Sequence, residues 1–149
     1  MPSAGAALEP ARLAPLRSDY MYRRAEEEGY EIVGAIDGGD GAYVFEIEPR
    51  APVGFIALPL ALRIVGDASI TAVGLELGWD RKRSPVWASR LALTAAKILH
   101  GSEKIPCRVV VSRLPPGYKE GLEHRGHVHF ELGAEAEIRG TAQVSIVAA

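Results

Sequence analysis

From Tyr30 the apolar positions recur with a period of two, Tyr30, Ile32 and Ile36 falling on one face, until Asp37-Gly38-Gly39-Asp40-Gly41 interrupts the run. That pattern predicts a strand closed by a hairpin turn. The return strand, Ala42 to Glu48, sends Tyr43, Phe45 and Ile47 inward and Glu46 and Glu48 outward, as in a sheet with one wet face. Gly54 to Val65 is apolar on both faces but carries Pro59, which cannot donate to a ladder, so an edge or bulged strand is expected. After a turn at Gly66-Asp67, Ala68 to Trp79 reads as a further strand, with Val73, Leu75, Leu77 and Trp79 on one face and Gly74, Glu76 and Gly78 on the other.

The clearest helix signal follows: Ser84 as N-cap, Pro85 at the first helical position, His100 in the last turn and Gly101 beyond it. Arg90, Thr94 and Lys97 form its only polar stripe, so strands, the N-terminal arm or another subunit must cover the rest. Strands are predicted again at Ile105 to Leu114 and in a final hairpin, His127 to Leu132 and Ala136 to Val147. Side-chain parity allows a three-residue turn, Gly133 to Glu135, which would set Glu131 opposite Glu137 and His129 opposite Arg139. At the other end, residues 1–16 read as a flexible, Ala/Pro-rich arm docking through Leu13 and Leu16, and Ser18 or Asp19 caps a short helix, Tyr20 to Glu28, ended by Gly29. The expected layout is α-β-β-β-β-α-β-β-β. It describes an α+β domain over 17–149, a mainly antiparallel sheet of six to seven strands around one long apolar helix at 84–100, with a short N-terminal helix.

Composition narrows the function classes. A chain of 149 residues, 48% hydrophobic and 24% charged, is globular in character and long enough for one core. Its 17 basic and 19 acidic side chains give a net charge of −2, with no global attraction to nucleic acid or an anionic membrane, so any anion site must be local. The longest uninterrupted apolar run, Phe55 to Leu62, is far short of the roughly 20 residues of a membrane helix, and no secretory signal is evident. Cytoplasm is the expected compartment. The single cysteine, Cys107, excludes an intrachain disulfide and sits in the apolar run Ile105 to Val111, where a buried, inert thiol is expected.

Four features could carry chemistry. Strand alternation puts His127, His129 and Glu131 on one face, with His124 able to close from the preceding loop, a donor set suited to zinc or another divalent metal. Arg81, Lys82 and Arg83 precede Ser84 at the predicted helix start and would hold a small anionic ligand, such as a nucleotide or coenzyme A phosphates. The loop 115–126 offers Tyr118 and Glu123 as acid–base groups beside the histidines. Glu76, an acid between glycines in an apolar strand, would be a general base if it faced a pocket. No GxSxG elbow, Walker A loop or Rossmann glycine pattern is present.

These features support three readings: a small-molecule-binding domain or small enzyme with a divalent metal on the last hairpin; an acyl-thioester-handling homo-oligomer; and a non-catalytic oligomerisation module built on the apolar helix. The second rests on a resemblance to the hotdog fold, since an apolar helix cradled by antiparallel strands, with a basic loop at its start, has that character. Two features of the predicted layout oppose it: four strands precede the helix, and no acid on the helix serves as base. Homo-oligomerisation is expected with any of the three.

Overall fold

A computed structural model describes residues 5–17, 29–50, 54–79, 86–101, 103–113 and 123–147. Its elements are β1 (Ala6–Leu8), α1 (Pro10–Arg17), β2 (Tyr30–Gly39), β3 (Ala42–Pro49), α2 (Leu58–Glu76), β4 (Val86–Ala95), β5 (Ile105–Arg113), β6 (Glu123–Leu132) and β7 (Ile138–Val147). All seven strands join one antiparallel sheet in the order β1-β2-β3-β5-β6-β7-β4. The architecture is the expected one, an antiparallel sheet around one long helix with a short helix before it, but the long helix is a different segment.

The 19 residues of α2 replace the two strands predicted between Gly54 and Trp79. Pro59, read as a strand breaker, lies in the first turn, where its missing N–H costs nothing. Gly78 ends the helix at φ 72°: its N–H donates to the Leu75 carbonyl and that of Trp79 to the Gly74 carbonyl, the paired closure of a Schellman motif. Every residue from Ile64 to Gly74 is buried, Asp67, Ser69 and Thr71 included, so this segment has no solvent-facing stripe to reveal a helical period. Long and apolar enough to cross a membrane, α2 instead has 67% of its apolar window buried inside the protein.

The segment predicted as the helix is strand β4, paired along its length with β7. A bulge between Ala88 and Arg90 reverses side-chain parity there, which hides the period of two. Likewise, a register shift between Ile32 and Gly34 in β2 turns Ala35 inward (6% exposed) and Ile36 outward (47%), against the expected inward Ile36. The connection after β6 is longer than predicted, so Leu132 pairs with Ile138, Glu131 with Arg139 and His129 with Thr141. Parity survives this correction, because the shift is by two residues. Of the N-terminal arm, residues 5–17 carry β1 and α1, and Leu13 and Leu16 are buried in the core as expected. The predicted helix Tyr20 to Glu28 lies outside the described residues.

Candidate functional site

With α2 at 58–76, the central helix carries acids after all. Asp67, read from sequence as a turn residue, is 1% exposed at mid-helix. Arg17, the last residue of α1, grips it with a fork: Nε donates to Oδ1 at 3.0 Å and Nη2 to Oδ2 at 2.7 Å. The Tyr30 hydroxyl donates to Oδ2 at 2.7 Å, and the Thr71 hydroxyl donates to the Asp67 carbonyl at 2.8 Å. Burial alone would lower the Arg17 pKa; the hydrogen bond and charge of Asp67, with help from Tyr30, raise it instead. This carboxylate is saturated, and serves to fasten α1 to the central helix.

Glu76 closes the last turn of α2 instead of lying in a strand. Its Oε1 accepts the Tyr43 hydroxyl proton at 2.5 Å. Burial, then the hydrogen bond and charge of Glu76, with Asp37 adding and Arg12 opposing, push the Tyr43 phenol far above its ordinary range, so it stays a neutral donor. Cys107 is fully buried and its thiol is pushed up to about 12, chiefly by burial, in line with an inert thiol.

His127, His129 and Glu131 do share the exposed face of β6, opposite buried Val128, Phe130 and Leu132. Sharing a face is not convergence. Residues two apart on a strand stand about 7 Å apart, and Glu131 lies in register between Arg108 and Arg139, whose positive charges oppose a cation there. Among the described residues no group of three metal-donor side chains comes together. His124 begins β6 with Glu123, their backbones paired with Ile146 and Val147, so β6 starts four residues before the predicted strand. Arg81, Lys82, Arg83, Ser84 and Tyr118 lie outside the described residues.

A feature absent from the sequence reading lies at the start of α2. An apolar cleft of about 390 Å³ is bounded by Phe55 to Leu58 on one side and Ala95 to Leu99 on the other, with Ile138 at its floor and Lys97 its one charged lining residue. Two contacts define its walls, the Ile56 N–H donating to the Leu99 carbonyl at 2.7 Å and the His100 Nδ1 lying 3.0 Å from the Gly54 carbonyl. The N-cap residue of α2, Ala57, supplies no side-chain cap, so the first-turn N–H groups of Leu58 and Leu60 have no intrahelical partner, and Leu58 lines the cleft. Only a helix at 58–76 brings these groups together, which is why placing the helix at 84–100 hid the cleft.

No family model and no curated protein matches the sequence. Solved structures do match. A candidate thioesterase from Shewanella oneidensis superposes with a TM-score of 0.64 at 10% identity, over 91% of this chain and 96% of that one. A thioesterase superfamily protein from Shewanella loihica PV-4 gives 0.59 at 11% identity, over 89% and 98%. The E. coli PaaI protein from the phenylacetic acid degradation operon gives 0.57 at 10% identity, over 94% and 96%. At such identities the likeness is one of fold, and the fold is the hotdog fold of these thioesterase-like structures.

Proposed function

We propose that this chain binds acyl thioesters as a homo-oligomer, with the acyl chain in the cleft at the start of α2. The observation that carries the reading is the juxtaposition of an apolar cleft with an uncapped helix start, on a fold shared with thioesterase-superfamily structures. An acyl chain suits the apolar lining, and the free N–H groups suit a polarised carbonyl oxygen. The helix acids do not supply a base at the cleft. Asp67 is saturated by Arg17 and Tyr30, and lies about 14 Å along the helix from Leu58; Glu76 is about 27 Å away. Binding is therefore the activity the described residues support, with Tyr118 and Glu123 as acid–base candidates for turnover and Arg81, Lys82, Arg83 and Ser84 as candidate carrier-phosphate contacts.

Calorimetric titration with saturated acyl-coenzyme A compounds of rising chain length tests this, with thiol release followed in parallel. Affinity should rise about fourfold per methylene until the cleft is full, from the roughly 0.8 kcal/mol of each buried CH₂. Ala96→Trp, which fills the cleft from its rim, should abolish that dependence. Affinity independent of chain length would overturn the reading.

A further inference from the structure

The protein carries a net charge of −2, yet the outer sheet face across β5, β6, β7 and β4 is basic. Register places the residues. One row across the strands reads Arg108, Glu131, Arg139 and Thr94; the next reads Val110, His129, Thr141 and Ala92; a third brings His127 beside Gln143 and Arg90. Residues facing one another across antiparallel strands share a side of the sheet, and the exposed arginines and histidines stand opposite buried Val128, Phe130 and Ala142. Against Arg90, Arg108, Arg139, His127 and His129 these rows hold one carboxylate, Glu131.

The arginines are unspent. Among the described residues, no hydrogen bond or ion pair engages the guanidinium of Arg90, Arg108 or Arg139, whereas Arg17 and Arg50 each hold a carboxylate. Nor is the face flat. A depression of about 340 Å³ lies over its centre, lined by Thr94, Arg108, His129, Glu131, Arg139 and Thr141. Three inter-strand spacings and four residues along β6 give the basic area a span of about 14 Å each way, larger than one oxyanion requires.

We infer that this outer face binds a small molecule carrying adjacent phosphates, held by Arg108 and Arg139 with the Thr94 and Thr141 hydroxyls beside them. The fixed cations are all arginine, whose planar fork matches two phosphate oxygens at once. The depression supplies concavity, and the hydroxyls supply neutral donors. A single-stranded nucleic acid is less well served, since these rows hold no tyrosine or tryptophan and the one phenylalanine of their strands, Phe130, is buried on the other face, leaving no large aromatic platform for bases. Glu131 opposes the ligand, and that opposition makes the inference sharply testable. The site is on the face of the sheet away from α2, so its failure would leave the acyl-thioester reading untouched.

The experiment titrates the full chain with inorganic pyrophosphate by calorimetry at low salt, then with adenosine diphosphate and coenzyme A. Arg108→Ala combined with Arg139→Ala should weaken pyrophosphate at least tenfold, and Glu131→Gln should tighten it severalfold. Arg63→Ala, at an exposed position on α2, should change nothing. Equal affinity for all three probes assigns the site to a free diphosphate; a stronger response to adenosine diphosphate or coenzyme A assigns it to a nucleotide or to the thioester carrier. All these side chains are exposed, so the variants should keep the wild-type circular dichroism spectrum. Unchanged affinity in the double arginine variant, equal loss with Arg63→Ala, or binding of a short oligonucleotide but not of pyrophosphate would overturn the inference.

Discussion

Asp67 is where the N-terminal helix, the first long strand and the central helix meet. Its carboxylate is held by Arg17 and the Tyr30 hydroxyl, with side-chain exposures of 13% for Arg17 and 1% for Asp67, so neither charge has water to fall back on. Truncating one partner strands the other, and Arg17→Met or Asp67→Leu alone should cost about 3–5 kcal/mol in urea unfolding. The double variant, with both charges replaced by apolar side chains, should recover most of that loss. A double variant as unstable as the sum of the singles would mean that the pair contributes through shape alone. Gly66-Asp67 resembles a turn in sequence, because a loop is the ordinary place for a Gly-Asp pair. Nothing local discloses that Arg17, fifty positions earlier, satisfies the carboxylate. Cys107 and the outward row of β6 were legible, since both follow from strand parity alone.

At the scale of elements, two segments exchanged roles. Residues 58–76 carry β-branched residues, glycines and a proline, yet form the helix, while the Ala- and Leu-rich Val86 to Ala95 forms a strand. Propensity yields to packing when a helix is buried all round and a strand must reach along the sheet edge. The true caps were present but disguised: Pro59 and Gly78 mark the helix ends, while Ser84 and Pro85 simulate a start. Hairpins β2–β3 and β6–β7 were legible because a single wet face preserves alternation between short turns. A glycine now fixes the partnership of β4. A Cβ on Gly140 would meet the Ala92 carbonyl oxygen, closer than any contact could tolerate. Gly140→Ala should therefore cost upwards of about 2 kcal/mol through backbone displacement. Hydrogen exchange localises the effect: protection should fall first in β4 and the facing part of β7, with β2, β3 and β5 retained. Uniform loss across the sheet, or none, would refute that assignment.

For the molecule as a whole, β4 leaves ten residues of strand at the end of the sheet order, with no partner beyond it among the described residues. Edge strands that must stay single are usually short or carry prolines and several charges, whereas Val86 to Ala95 has no proline and Arg90 as its one charge. Beside its end, Phe55 (61% exposed), Leu58 (49%) and Ile98 (71%) surround the cleft at the start of α2, with Leu62 (43%) one turn further along the helix. Apolar groups gathered at an open edge fit a second copy covering them, which would also roof the cleft. Because Ile98 is so exposed within one chain, Ile98→Asp should leave single-chain stability nearly unchanged while opposing association with a charge at the interface centre. Sedimentation at micromolar concentration should then find the wild type as a dimer or larger and the variant shifted toward monomer. A wild type that sediments as a monomer at that concentration would leave the cleft unroofed and remove the reason to expect assembly.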